Sequence, residues 1–176
     1  VKFELLADLT SEPAESTVRF SDCEQLGAVN LRGTGFAARD VVLHSLSANI
    51  GGTLHAVKVN VTGPAGFLLA KTAAAHARRK PKDWYDLAFV LLHSDLGGPE
   101  KAAAAVRTRF RSDLVGWVRT ALDDLLANFE TPGAQGPQAY AEQMLVDHPE
   151  LDGAVLAADA VLAVGSFYRA LFPAGG

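Results

Sequence analysis

The chain has 176 residues, about one domain's worth, with 49% apolar and 20% charged residues, a composition that excludes intrinsic disorder. Its net charge is −4 and its pI about 5.7, so bulk charge does not recruit nucleic acid, and an anionic substrate must be held by a local cationic site. The lone cysteine, Cys23, rules out an internal disulfide. With no Cys/His cluster, signal peptide or apolar run of bilayer length read in the sequence, the expectation is a cytoplasmic protein with no membrane partner.

Residues 1–62 read as β. Residues 1–8 alternate and then turn continuously apolar, as a strand entering a core does. Residues 11–16 form a polar loop with Pro13. Residues 40–47 and 54–61 are two further strands, joined at Gly51-Gly52 by a hairpin turn, because glycine takes positive φ freely. Val57, Val59 and Val61 share one face of the second strand, with Lys58 and Asn60 on the other. His44 and His55 fall on the two strands and are expected to face each other.

From Thr62 onward the pattern is helical. Pro64 opens a helix over 64–79, where its missing N–H costs nothing. Pro81 ends it, since the residue before a proline avoids the α region. A second helix covers 83–93 and stops at Gly97-Gly98-Pro99, with His93 complementing its C-terminal dipole. Further helices are expected over 100–109, 112–129, 138–146 and 151–171, with a Pro/Gly loop at 131–137. The last is apolar, but Asp159 sits mid-segment, which marks a bundle core helix and not a membrane span. The fold class is α+β: a β-rich part over 1–62 followed by a helical bundle over 63–176, in one folding unit.

The chemistry concentrates between Lys71 and Asp86. Lys71 and Arg78 are seven apart and share a helix face, with Ala74 and Ala75 between them. A bare alanine floor flanked by two cations suits a polyphosphate: the lysine is a compact point charge and the arginine a fork of donors. Arg79, Lys80 and Lys82 extend the positive field. Asp83 and Asp86 have the spacing of a capping box, so a cap is the alternative to a chemical role. Arg107 and Arg111 are four apart and share a face if their helix continues, as contacts to an RNA backbone or as solvated surface.

The joint pattern, Lys71 through Arg78 and then Lys80-Pro81-Lys82-Asp83-x-Tyr85-Asp86-Leu87, resembles the AbiEii-like nucleotidyltransferase toxins of bacterial type IV toxin–antitoxin systems. The resemblance implies a nucleotidyltransferase fold of the polymerase-β type with a helical C-terminal part. It implies transfer of a nucleotide from an NTP with Mg²⁺ to an acceptor such as tRNA, and a cognate antitoxin. On it, Lys71 contacts the NTP phosphates, Arg78 assists, Asp86 orients Lys71 or the reacting group, and Asp83 supports them.

The family's first motif, a glycine turn followed by two metal-holding carboxylates one residue apart, is not found upstream of Lys71. No glycine precedes Gly27, and the single Asp-x-Glu, Asp22-Cys23-Glu24, reads as a solvated loop. Glu4 is the candidate third metal carboxylate, or else an edge-strand glutamate; Asp8 is a weaker candidate for the same place. The chain opens on Val1, with Met144 its one methionine, and the expectation is that the missing motif lies upstream and that this polypeptide transfers nucleotide weakly or not at all. Two other functions fit the residues: a non-catalytic module that binds an antitoxin or RNA, and a small-molecule nucleotidyltransferase.

Overall fold

A computed structural model describes residues 4–173. Two small sheets precede a helical bundle, so the architecture is α+β. The first sheet has the order β1 (Leu6–Ala7), β3 (Cys23–Asn30), β2 (Thr17–Phe20). β1 runs parallel to β3, with Leu6 opposite Val29, and β2 is antiparallel to β3. The strand expected over 1–8 is therefore shorter, and its first three residues lie outside the described range. Buried Asn30 organises the loop between β1 and β2: its side-chain oxygen accepts from the Leu9 N–H at 2.8 Å, and its amide lies 3.0 Å from the Glu12 and Pro13 carbonyls.

A short helix, α1 (Gly35–Arg39), leads into β4 (Val41–Ile50) and β5 (Thr53–Thr62). These pair antiparallel over their whole length as a two-stranded ribbon. Gly51 and Gly52 turn the chain at φ 60° and 83°, the left-handed conformations that a two-residue hairpin loop demands. His44 pairs with Val59 and His55 with Ala48, so the two histidines share a face but do not oppose each other as expected.

The bundle comprises α2 (Pro64–Arg78), α3 (Pro81–His93), α4 (Pro99–Phe110), α5 (Gly116–Ala127), α6 (Gln135–Asp147) and α7 (Gly153–Leu171). Leu68, Trp84, Leu87, Leu91, Val106, Leu122 and Phe167 interlock at its centre with essentially no exposure. Phe36 of α1 joins the same core and meets Phe110 edge-on at 5.3 Å between ring centres. α7 is long and apolar enough to cross a membrane by length and composition. Here it packs on α3, α4 and α6 and buries Ala160, Val164 and Phe167 in the core, as a bundle helix does.

Three boundaries differ from expectation for local reasons. α3 begins at Pro81, which serves as a first-turn proline and not as the break after α2. A turn of 3₁₀ helix at Arg111–Asp113 separates α4 from α5, so Arg107 and Arg111 do not lie on one continuous α-helix. The carboxylate of Asp152 accepts from the N–H groups of Ala154 and Val155 and so starts α7 at Gly153.

The N-terminus of α2 is fixed from outside the helix. Its capping residue, Gly63, has no side chain to offer. Buried Asp40 accepts from the Gly66 N–H at 2.8 Å and from Arg109 Nε at 3.0 Å, while its own carbonyl accepts from Gly63. A Cβ at Gly66 would lie 2.5 Å from the Phe36 carbonyl oxygen, so only glycine lets α2 approach α1 this closely. Lys71, two turns further along, inherits its position from this junction.

Candidate functional site

α2 and α3 meet at a sharp corner. Arg79 takes the left-handed conformation at φ 50° and closes α2, and Pro81 starts α3 two residues later. The corner folds the first turn of α3 back against the last two turns of α2. Asp83 and Asp86 thereby reach Lys71 and Arg78.

The four side chains form one connected set. Lys71 Nζ lies 2.6 Å from Asp86 Oδ2 and 3.2 Å from Asp83 Oδ1. One guanidinium nitrogen of Arg78 donates to both oxygens of Asp83, at 2.8 and 2.9 Å. Lys82 donates to Asp86 at 3.1 Å from one turn away. The Asp83 side chain is only 3% exposed, against 23% for each of its two cationic partners, so the cations shield it from solvent. Asp83 is not a cap: no side chain caps α3, and the residue at that place is Lys80. The capping-box expectation is corrected accordingly, because the Asp83 carboxylate is taken up by tertiary contacts.

Lys71 and Arg78 border a cavity of about 730 Å³, whose α2 side is completed by Phe67, Ala70 and Ala74. Ala75, expected in the alanine floor, is instead 2% exposed and packed in the bundle core. The opposite wall comes from β1 and α1 and includes Glu4, Asp8, Thr34 and Gly35. The structure therefore brings Glu4 to the same cavity as Lys71 and Arg78. Asp8 is committed elsewhere: it accepts from the N–H groups of Gly33 at 3.0 Å and Gly35 at 2.9 Å, and so holds the cavity rim. Neither this rim nor α1 was legible in the sequence. Asp22 lies in the turn between β2 and β3 and Glu24 on β3 itself; both are exposed and neither lines the cavity, so the pair is solvated but only Asp22 is in a loop.

The positive field is narrower than the run Arg78 to Lys82 suggests. Arg79 donates to Asp124 of α5 at 2.8 Å, and His76 Nδ1 lies 3.1 Å from the same carboxylate. Burial pushes the Asp124 carboxyl up, but hydrogen bonds from His76 and Arg79 outweigh it and leave the group below the ordinary carboxylate range. A depressed folded pKa contributes stability above the unfolded value that is lost as pH falls through the folded one. Asp124→Asn is therefore expected to lower stability at neutral pH and to flatten the decline below about pH 4, measured by urea unfolding across that range.

His93 is not simply a dipole complement, since its Nε2 lies 2.8 Å from the Tyr140 hydroxyl. Burial pushes the Tyr140 phenol up to about 12.

The metal expectation fares differently from the cation pair. Among the described residues, no group of three or more His, Cys, Asp or Glu side chains is placed to hold a metal ion. Asp83 and Asp86 are occupied by cations and Asp8 by backbone donors. Glu4 and Asp8 both line the cavity, but among the described residues no third His, Cys, Asp or Glu side chain joins them as a candidate metal ligand. The described residues thus do not fit a two-metal centre, and no step through a metal is derived from them.

The chain matches the family described as nucleotidyl transferase AbiEii toxin, type IV TA system, over residues 29–163. No curated protein and no solved structure matches it. The match takes in Lys71, Arg78, Asp83 and Asp86 together with α1 through most of α7, and leaves Glu4 and Asp8 outside. Since it covers most of the polypeptide, the chain belongs to the AbiEii nucleotidyltransferase toxin family of type IV toxin–antitoxin systems.

Proposed function

We propose that the cavity between α1 and α2 binds the triphosphate of an NTP, as the donor site of a nucleotidyltransferase toxin. The observation that carries this reading is that Lys71 and Arg78, two turns apart on α2, border one cavity over the small floor of Ala70 and Ala74. Family membership implies a nucleotide substrate and a cognate antitoxin. Phosphoryl-type transfer rests largely on positioning and charge neutralisation, and these residues supply both.

In this reading Lys71 contacts the phosphates and Arg78 assists. Asp86, at 2.6 Å, orients the Lys71 ammonium, and Asp83 supports both cations. Arg78 holds Asp83 through one guanidinium nitrogen and borders the cavity. Family membership suggests a divalent metal such as Mg²⁺, which Glu4 would help to hold only together with ligands beyond the residues described; tRNA is the acceptor, and the toxin acts in the cytoplasm. The 1–62 and 63–176 parts form one folding unit, a reading supported by Phe36 in the bundle core and by the Asp40–Arg109 pair.

The test is a titration with Mg²⁺ and each of the four NTPs, paired with a labelled-nucleotide transfer assay on tRNA and on small-molecule acceptors. Saturable NTP binding with weak or absent transfer is expected of this polypeptide. Absence of binding contradicts the donor site, and robust transfer abolished by Lys71→Ala contradicts the account of the carboxylates. The pairing of every member of the quartet also fits a second reading, a purely mechanical clasp between α2 and α3 in a non-catalytic binding module.

A further inference from the structure

The cavity between α1 and α2 has unlike ends. Phe67, Lys71, Ala74 and Arg78 follow one another at successive turns of α2, and all four line it. From Phe67 to Arg78 the helix axis advances about 16 Å. Cations hold the middle and the Arg78 end, whereas the Phe67 end is apolar. α1 crosses α2 in the opposite direction, since Gly33 lies against Ala73 and Phe36 against Gly66. Ala37 and Ala38 of α1, which also line the cavity, therefore fall toward its Phe67 end. The half-buried Phe67 ring and two alanine methyls bound that end, and Lys71 Nζ lies 5.8 Å from the ring centre.

We propose that the Phe67 end is the nucleobase subsite of the NTP, with the base stacked on the Phe67 ring and packed against Ala37 and Ala38. The inference rests on the triphosphate reading of Lys71 and Arg78 and adds a direction to it: the base lies beside Phe67, and the phosphates run past Lys71 toward Arg78. An aromatic ring at the wall of an open cavity offers the flat apolar surface on which any base stacks. The short side chains of Ala37 and Ala38 leave a planar group room beside that ring. The order of ring, ammonium and guanidinium along α2 is the order of base, inner phosphate and outer phosphate in an extended NTP. The opposite direction would set the outer phosphates against an apolar wall, where their lost hydration has no cation to replace it.

Calorimetric titration of the whole chain with ATP and Mg²⁺, and separately with inorganic tripolyphosphate and Mg²⁺, tests this. Phe67→Ala is expected to weaken ATP binding at least about fivefold, the lower end of what a base–aromatic stack contributes, and to leave tripolyphosphate binding unchanged. Ala38→Leu, at an exposed position of α1, fills the same end of the cavity from the other helix. It is expected to have the same selective effect, and it decides the matter even if Phe67→Ala impairs folding. ATP affinity indifferent to both variants overturns the nucleobase subsite, as does an equal loss for ATP and tripolyphosphate. Wild type that binds neither ligand overturns the donor site itself, and the subsite with it.

Discussion

Lys71→Ala is expected to weaken NTP binding tenfold to a hundredfold while leaving the fold and its stability nearly unchanged. A charge-assisted contact to a phosphate oxygen contributes about 1.5–3 kcal/mol, which is that range in affinity. The fold survives because neither carboxylate is left alone: Asp83 keeps Arg78, and Asp86 keeps Lys82. Nucleotide titration by calorimetry, beside urea unfolding of the same variant, gives both numbers. Unchanged affinity favours the mechanical clasp.

Asp83→Ala is expected to have the opposite signature, a loss of stability of about 2–4 kcal/mol. Removing one partner of a buried pair typically costs about 3–5 kcal/mol, because the remaining charge is stranded. The lower range applies here because both cations reach solvent at 23% exposure and Lys71 retains Asp86. Asp83→Asn, which keeps the shape and an acceptor oxygen, should lose less. A loss below about 0.5 kcal/mol for Asp83→Ala, within the range of ordinary surface changes, contradicts the central place given to this carboxylate. Together the two variants separate a residue that binds ligand from one that holds the binder in place.

The motif was legible because its parts are local. Seven-residue spacing puts Lys71 and Arg78 on one face whatever surrounds the helix, and Gly51-Gly52 dictates a hairpin turn. What the sequence left open turns on which side of a helix meets the core. At 100° per residue, Ala75 lies about 40° to one side of Lys71 and Ala74 about 60° to the other; packing against the bundle took Ala75 and left Ala74 at the cavity. Asp83 was ambiguous for a related reason. Its position at the start of a helix suits a cap, and only the corner at Arg79 shows that the carboxylate is drawn back to α2. The five-residue α1 is too short for any periodic signal, so the wall it gives the cavity was invisible. Arg79 and Lys82 read as free cations because their acidic partners are set by tertiary contact or by the i, i+4 row.

A crystal structure of the chain with a non-hydrolysable NTP analogue tests the central claim most directly. The account predicts the triphosphate along Ala70 and Ala74, with phosphate oxygens within hydrogen-bond distance of Lys71 Nζ and the Arg78 guanidinium, and Asp83 still bound to Arg78. A triphosphate seated on another surface, such as the arginines near the end of α4, with the α1–α2 cavity empty, would contradict it.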